Sequence, residues 1–270
     1  EVIEFAKPFI IRDAKILGIA ETIESKIRES GGKPAWPVNI SINEIAAHYT
    51  PEINDTIPLK EWDLVKIDIG VQVNGCPWDR AFTVCIGKSS HPLIEASERA
   101  LEEALKIMKA GTKVFEISEV TENTVNSLGF NVVRNLSGHG ITQYHQHAPP
   151  MIPNSRNTIQ DELESGKVYA MEVFTTNGSG VVIESSPTGI FKYHEDKPVR
   201  LWEARKILDI AKKDFDQLPF CKRWIKGISP LKLDMALKQL AEASAIETYP
   251  PLKEQSNGLV AQTEETVIIE

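Results

Sequence analysis

The stretch VKIDIGVQVNGCPWDRAFT, residues 65–83, decides the fold. Lys66-Ile67-Asp68-Ile69 and Trp78-Asp79-Arg80-Ala81-Phe82-Thr83 have the β-branched and aromatic content of strands, and Asn74-Gly75 between them is a strong hairpin signal. Side chains alternate across a sheet, so Asp68 and Asp79 meet on one face only in a register that brings them near each other. Two ionised carboxylates so placed repel. Either they share a proton, as in acid proteases, or they hold a cation.

Outward from the hairpin the chain repeats itself. Residues 59–68 lie over residues 163–172 without a gap, which sets Glu172 over Asp68, and His48 falls near His147. Helical spacing of Ile16, Ala20, Ile23 and Ile27 precedes the first copy and stops at Gly31-Gly32. Two helices, read from Ile94, Leu101, Leu105 and Met108 and then from Ile117, Val120, Thr124 and Leu128, precede the second. The expected architecture is two similar helix-and-hairpin halves whose acidic strands face each other, since a solenoid would need more copies. From about Pro198 the pattern changes to two helices flanking the apolar, basic run Phe220-Cys221-Lys222-Arg223-Trp224, an insert over 195–250. The chain then returns to a last strand at 259–269, with Glu264 facing one way and Glu265 the other.

Composition bounds the function. The chain has 270 residues and a net charge of -8, which argues against nonspecific nucleic-acid binding by the whole surface. Residues 192–238 carry twelve Lys or Arg against seven Asp or Glu, a local +5 that could meet an acidic partner. Cys76, Cys85 and Cys221 are odd in number and contain no C-x-x-C pair, so they read as free thiols. No apolar run approaches the roughly 20 residues of a membrane span and no signal peptide opens the chain, so a cytoplasmic protein is expected.

The acids set within strands and the one histidine flanked by glycines are Asp68, Asp79, His139, Glu172 and Glu264. Four carboxylates and an imidazole suit hard or borderline divalent ions such as Mn, Co, Fe or Zn. Two ions about 3.5 Å apart balance that negative charge better than one.

The chain resembles the type II methionine aminopeptidases, metallopeptidases of the pita-bread fold. The resemblance rests on Ala46-Ala47-His48-Tyr49-Thr50-Pro51, Ile67-Asp68-Ile69-Gly70, Gly138-His139-Gly140-Ile141, Tyr169-Ala170-Met171-Glu172 and Ala261-Gln262-Thr263-Glu264. The insert, with Tyr249-Pro250-Pro251-Leu252 closing it, is similar to the helical subdomain that separates type II from type I enzymes. It implies an α+β fold: one catalytic domain over 1–270, two pseudo-symmetric halves around a curved antiparallel sheet, and a small helical insert. It implies removal of the N-terminal methionine from nascent chains by a water activated at a dinuclear site. Asp68, Asp79, His139, Glu172 and Glu264 would be the metal ligands, with Asp79 and Glu264 bridging. Catalytic roles would fall to His48, His147 and Glu172, and the substrate would be held by His48, His147, Trp36 and Tyr249. A monomer with no membrane or specific DNA partner is expected, with a ribosome contact through the basic insert. The rival readings are a prolidase-like Xaa-Pro peptidase and a non-catalytic ribosome- or RNA-associated protein on the same fold.

Three departures from that family stand out. Trp36 replaces the more usual Phe, which predicts a shallower side-chain pocket. Cys76-Pro77-Trp78-Asp79-Arg80 is bulkier than usual before the second acid, and Arg80 is expected to point away from it. Family members carry more chain ahead of the position of Glu1, so part of the first helix pair is expected to lie outside this sequence.

Overall fold

The computed structural model describes all residues 1–270. Helix α1 (Ile16–Glu29) buries Ile16, Ile19, Ala20, Ile23 and Ile27 along one face, as their spacing requires, against the first sheet. That sheet contains β1 (Asn39–Ile42), β2 (Leu64–Val73) and β3 (Cys76–Cys85). The β2–β3 turn has positive φ at both Asn74 (52°) and Gly75 (78°), the geometry whose twist suits paired strands. A side chain at 75 would also strike the ring of Tyr144, because the tip of a second hairpin docks here: Tyr144 donates its N–H to the Gly75 carbonyl at 2.6 Å.

Helices α2 (Pro92–Ile107) and α3 (Val114–Ser127) cover the second sheet, which is built from β4 (Ser137–Thr142), β5 (His145–Pro153) and β6 (Val168–Thr176). Helices α4 (Trp202–Lys213) and α5 (Pro230–Glu242) follow. They form a core of their own with the short strands Ile190–Tyr193, Phe220–Cys221 and Ile246–Tyr249. The last strand, β7 (Val260–Ile268), pairs with β6 along its whole length, and every strand pairing in the molecule is antiparallel. The expected halves are therefore present. Each has a central strand carrying one acid, β2 with Asp68 and β6 with Glu172, and a neighbour carrying another, β3 with Asp79 and β7 with Glu264.

The two sheets meet where β3 runs beside β7, and here threonine side chains stand in for a backbone ladder. Thr83 Oγ1 donates to the Gln262 carbonyl at 2.7 Å and accepts from the Gln262 N–H at 2.8 Å. Thr266 Oγ1 does the same for Asp79, donating to its carbonyl at 2.7 Å and accepting from its N–H at 3.0 Å. The backbone N–H and carbonyl of Asp79 and of Gln262 thus keep partners although the strands stand a hydroxyl apart. On the outer face Arg80 pairs with Glu265 at 2.7 Å, so Arg80 points away from the acids, as alternation requires. A buried lysine ties the same region together: Lys66 Nζ donates to the carbonyls of Asn43 at 2.8 Å and Val260 at 2.9 Å, and burial lowers its pKa to about 7.

Two further polar anchors hold the loops around this core. Arg223, from the insert, donates to both carboxylate oxygens of Glu24 on α1, at 3.1 and 2.8 Å, and to Thr50 Oγ1 and the Pro51 carbonyl. Trp224 adds an indole N–H to Glu24 at 2.8 Å. Glu254 accepts from Ser179 Oγ, the N–H and Oγ of Ser256, and the N–H groups of Gly180 and Gly258. Burial alone would raise the Glu254 pKa, but these bonds outweigh it and hold the group at about 2. A carboxyl lowered in the folded state contributes stability that is complete above its unfolded value and lost as pH falls through the folded one. Glu254 therefore contributes stability that is complete above about pH 4.5 and is lost as pH falls through about 2. In urea melts from pH 7 to pH 2, Glu254→Gln should be less stable than wild type at neutral pH, and the gap should close across that window.

Candidate metal centre

The register explains how the first acid pair forms. Gly70 faces Asp79 and Ala81 faces Asp68, so the two aspartates are diagonal neighbours on one face of the hairpin. In the second half the acids face each other directly, Glu172 opposite Glu264. The β3–β7 seam turns both pairs inward. Ligand atoms of Asp79, His139 and Glu264 all lie within 4.8 Å of one another, and His139 Nε2 is 3.8 Å from Asp79 Oδ2. His139 arrives on β4, between glycines that have no room for a side chain: a Cβ at Gly138 or Gly140 would stand 2.6 Å from a backbone carbonyl oxygen. Its Nδ1 lies 3.2 Å from the Gly140 carbonyl, which fixes the proton on Nδ1 and leaves the Nε2 lone pair directed at the acids.

All the predicted site residues except Glu264 line one cavity of about 550 Å³ including its open mouth, and Glu264 lies buried beside Asp79. Asp68 and Glu172 are partly open to the cavity, whereas Asp79, His139 and Glu264 are buried. His48 meets Tyr249 edge to face at 5.5 Å between ring centres, and His147 lies 4.6 Å from His139 and 6.4 Å from Tyr249. The cavity wall is completed by Trp36, Ala47, Leu136, Phe174, Ile190 and Pro219, mostly apolar.

The electrostatics are those of a site built for a cation. Burial pushes Asp68 up to about 6. Burial and then repulsion by neighbouring acids, Asp68 and Glu172 for Asp79 and Asp79 first for Glu264, raise both well above the usual carboxylate range, and Glu172 is raised the same way, chiefly by burial and then by Asp68. Burial lowers His48 and His139 to about 4 and, helped by the neighbouring imidazoles, His147 further, so all three rings are neutral at pH 7. No lysine or arginine pairs with any of the four acids. The neutral donors that face them are the Trp36 indole N–H, 3.0 Å from Asp68 Oδ1, and the Gln262 amide, which donates to Glu172 Oε2 at 3.2 Å and reaches Glu264 Oε2 at 3.5 Å. Asp79 Oδ1 and Glu264 Oε1 are buried without any hydrogen-bond partner. Orphaned carboxylate oxygens converging on an imidazole lone pair are the donor set of a divalent metal ion, and the residues fit one.

Several neighbours had a sequence signal but no role assigned from it. Gln262 and Thr266 stand two residues either side of Glu264, so alternation puts them on its face of β7. Asn39 faces Asp68 across β1 and β2, and its Oδ1 has no partner. Gln146 beside His147 is buried, with Oε1 unpartnered and Nε2 3.5 Å from the Tyr249 hydroxyl.

Residues 2–193 match metallopeptidase family M24. Over the whole chain the sequence is 47% identical to the methionine aminopeptidase of Thermococcus onnurineus and 40% to that of Methanocaldococcus jannaschii, covering 91% of each. Among solved structures, a thermophilic Arx1 superposes with a TM-score of 0.88 at 16% identity, over 99% of this chain and 84% of the other. A methionine aminopeptidase of Thermotoga maritima gives 0.70 at 20%, over 99% of this chain and 87% of the other. At those identities the superpositions establish the pita-bread fold.

Proposed function

The chain belongs to metallopeptidase family M24, and from that membership and its site we infer that it removes the N-terminal methionine from proteins and peptides by metal-dependent hydrolysis. The observation that carries the reading is the set of buried, uncompensated carboxylates beside a neutral histidine at the cavity floor. We read Asp68, Asp79, His139, Glu172 and Glu264 as the residues that would hold two divalent ions, drawn from Co, Mn, Fe and Zn. When bound, such ions lower the pKa of a water and polarise a carbonyl.

The chain's own groups account for the rest. Glu172 opens to the cavity and is held at Oε2 by Gln262, so its other oxygen is placed to take the proton of the attacking water and deliver it to the departing amine. His48 and His147, neutral at pH 7, offer ring nitrogens to the carbonyl oxygen and nitrogen of the bond that breaks. The methionine side chain belongs against Trp36 and Tyr249. A free α-amino group then falls beside the acids, which restricts cleavage to the chain end.

We read residues 1–270 as one catalytic domain with the insert subdomain at 195–250, working as a cytoplasmic monomer. Lys197, Lys212, Lys222, Arg223, Lys232 and Lys238 of the basic stretch already pair with Glu195, Asp196, Glu52 and Asp234, Glu24, Glu203, and Glu242. A ribosome contact would thus fall to the remaining basic residues of the insert. A peptide panel tests the reading. Met-Ala-Ser and Met-Gly-Ser should release methionine and Met-Leu-Ser should not, while hydrolysis confined to Xaa-Pro dipeptides would move the chain to the prolidases. No hydrolysis of any peptide by metal-loaded protein would favour a binding role.

A further inference from the structure

We propose that Trp36 is a positioning residue for the metal centre: its indole N–H fixes Asp68, so the wall that receives the substrate side chain also sets the affinity of one of two ion positions. The inference rests on the two-ion reading above. Trp36 is 7% exposed, and its Nε1 donates to Asp68 Oδ1 at 3.0 Å while the ring lines the cavity. The seat for the ring is Gly70, two residues beyond Asp68 on the same face of β2 and opposite Asp79, where any Cβ would collide with the indole. Sequence and structure agree on a matched pair: a bulky donor at 36 and no side chain at 70.

The consequence is an asymmetric site. Ligand atoms of Asp79, His139 and Glu264 converge on one another, and Asp79 Oδ1 and Glu264 Oε1 have no hydrogen-bond partner. Asp68 lies outside that convergent set, and its Oδ1 accepts the Trp36 indole N–H. The position that depends on Asp68 is therefore oriented by a hydrogen bond from the pocket wall. A phenylalanine at 36 would keep the apolar surface and lose the bond. Outer hydrogen bonds to ligating groups typically change metal affinity by about 10–100-fold.

The test is calorimetric titration of metal-free protein with MnCl2 at fixed pH, with circular dichroism confirming the fold. Wild type should bind in two steps. Trp36→Phe should weaken the weaker step at least about tenfold and leave the tighter one within about twofold. Gly70→Ala, which displaces the ring without removing it, should give the same selective loss, and the double variant should be no worse than either single one. A weaker step that is unchanged or tightened in Trp36→Phe, or equal losses at both steps, would overturn the proposal. Wild-type protein binding no ion, or only one, would instead contradict the two-ion reading and remove the proposal with it.

Discussion

Glu264→Gln should lose more than about 100-fold in kcat/KM for methionine release, exceeding the effect of removing an outer hydrogen bond to a ligand, and yet be more stable than wild type once both are stripped of metal. Both effects come from one arrangement. Glu264 is 2% exposed, has an oxygen without a partner, and is held among Asp79, Glu172 and Asp68 with no cation of the protein's own. In metal-free protein its ionisation must overcome burial and repulsion together. An isosteric amide carries no such ionisation cost and should raise the stability of the metal-free protein by about 1 kcal/mol or more. Added Mn²⁺ should raise the melting temperature of wild type and do so far less for the variant, because binding to the native state is what stabilises. Thermal melts with and without metal, beside steady-state kinetics, measure both halves.

Arg223→Met should destabilise the protein by about 3–5 kcal/mol, since it leaves Glu24 buried and ionised without its partner. The same guanidinium holds Thr50 and the Pro51 carbonyl just beyond His48, and Glu24 accepts the Val38 N–H just beyond Trp36. Both walls of the substrate cavity thus hang on one ion pair, and KM should rise as well. The paired change Glu24→Leu with Arg223→Met removes both charges and should restore much of the stability without restoring KM. Equal loss in the single and double variants would mean that packing, and not the stranded charge, carries the effect.

Much of the site could be read from alternation alone. With Asn74 and Gly75 as the turn, Val73 faces Cys76, Gly70 faces Asp79, and Asp68 falls on that same face two residues away. The gapless match of 59–68 to 163–172 placed Glu172 on a second central strand, as found. What spacing could not supply were contacts across the seam. Thr83 and Thr266 bridge strands far apart in sequence, and nothing local distinguishes them from any strand threonine. The hydrogen bond from Trp36 to Asp68 is of the same kind: the substitution was visible, but the direction of the indole depends on the absence of a side chain at Gly70. The insert's helices followed from their periodicity, whereas the short strands Ile190–Tyr193, Phe220–Cys221 and Ile246–Tyr249 are too brief to show a period.

The most direct measurement is methionine release from Met-Ala-Ser by protein dialysed exhaustively against a chelator, followed while Mn²⁺ or Co²⁺ is returned stepwise. The buried acids and neutral histidine predict no release from the metal-free protein and recovery with the divalent ion. Undiminished release by metal-free protein, or release unaffected by Asp79→Ala and His139→Ala, would contradict it.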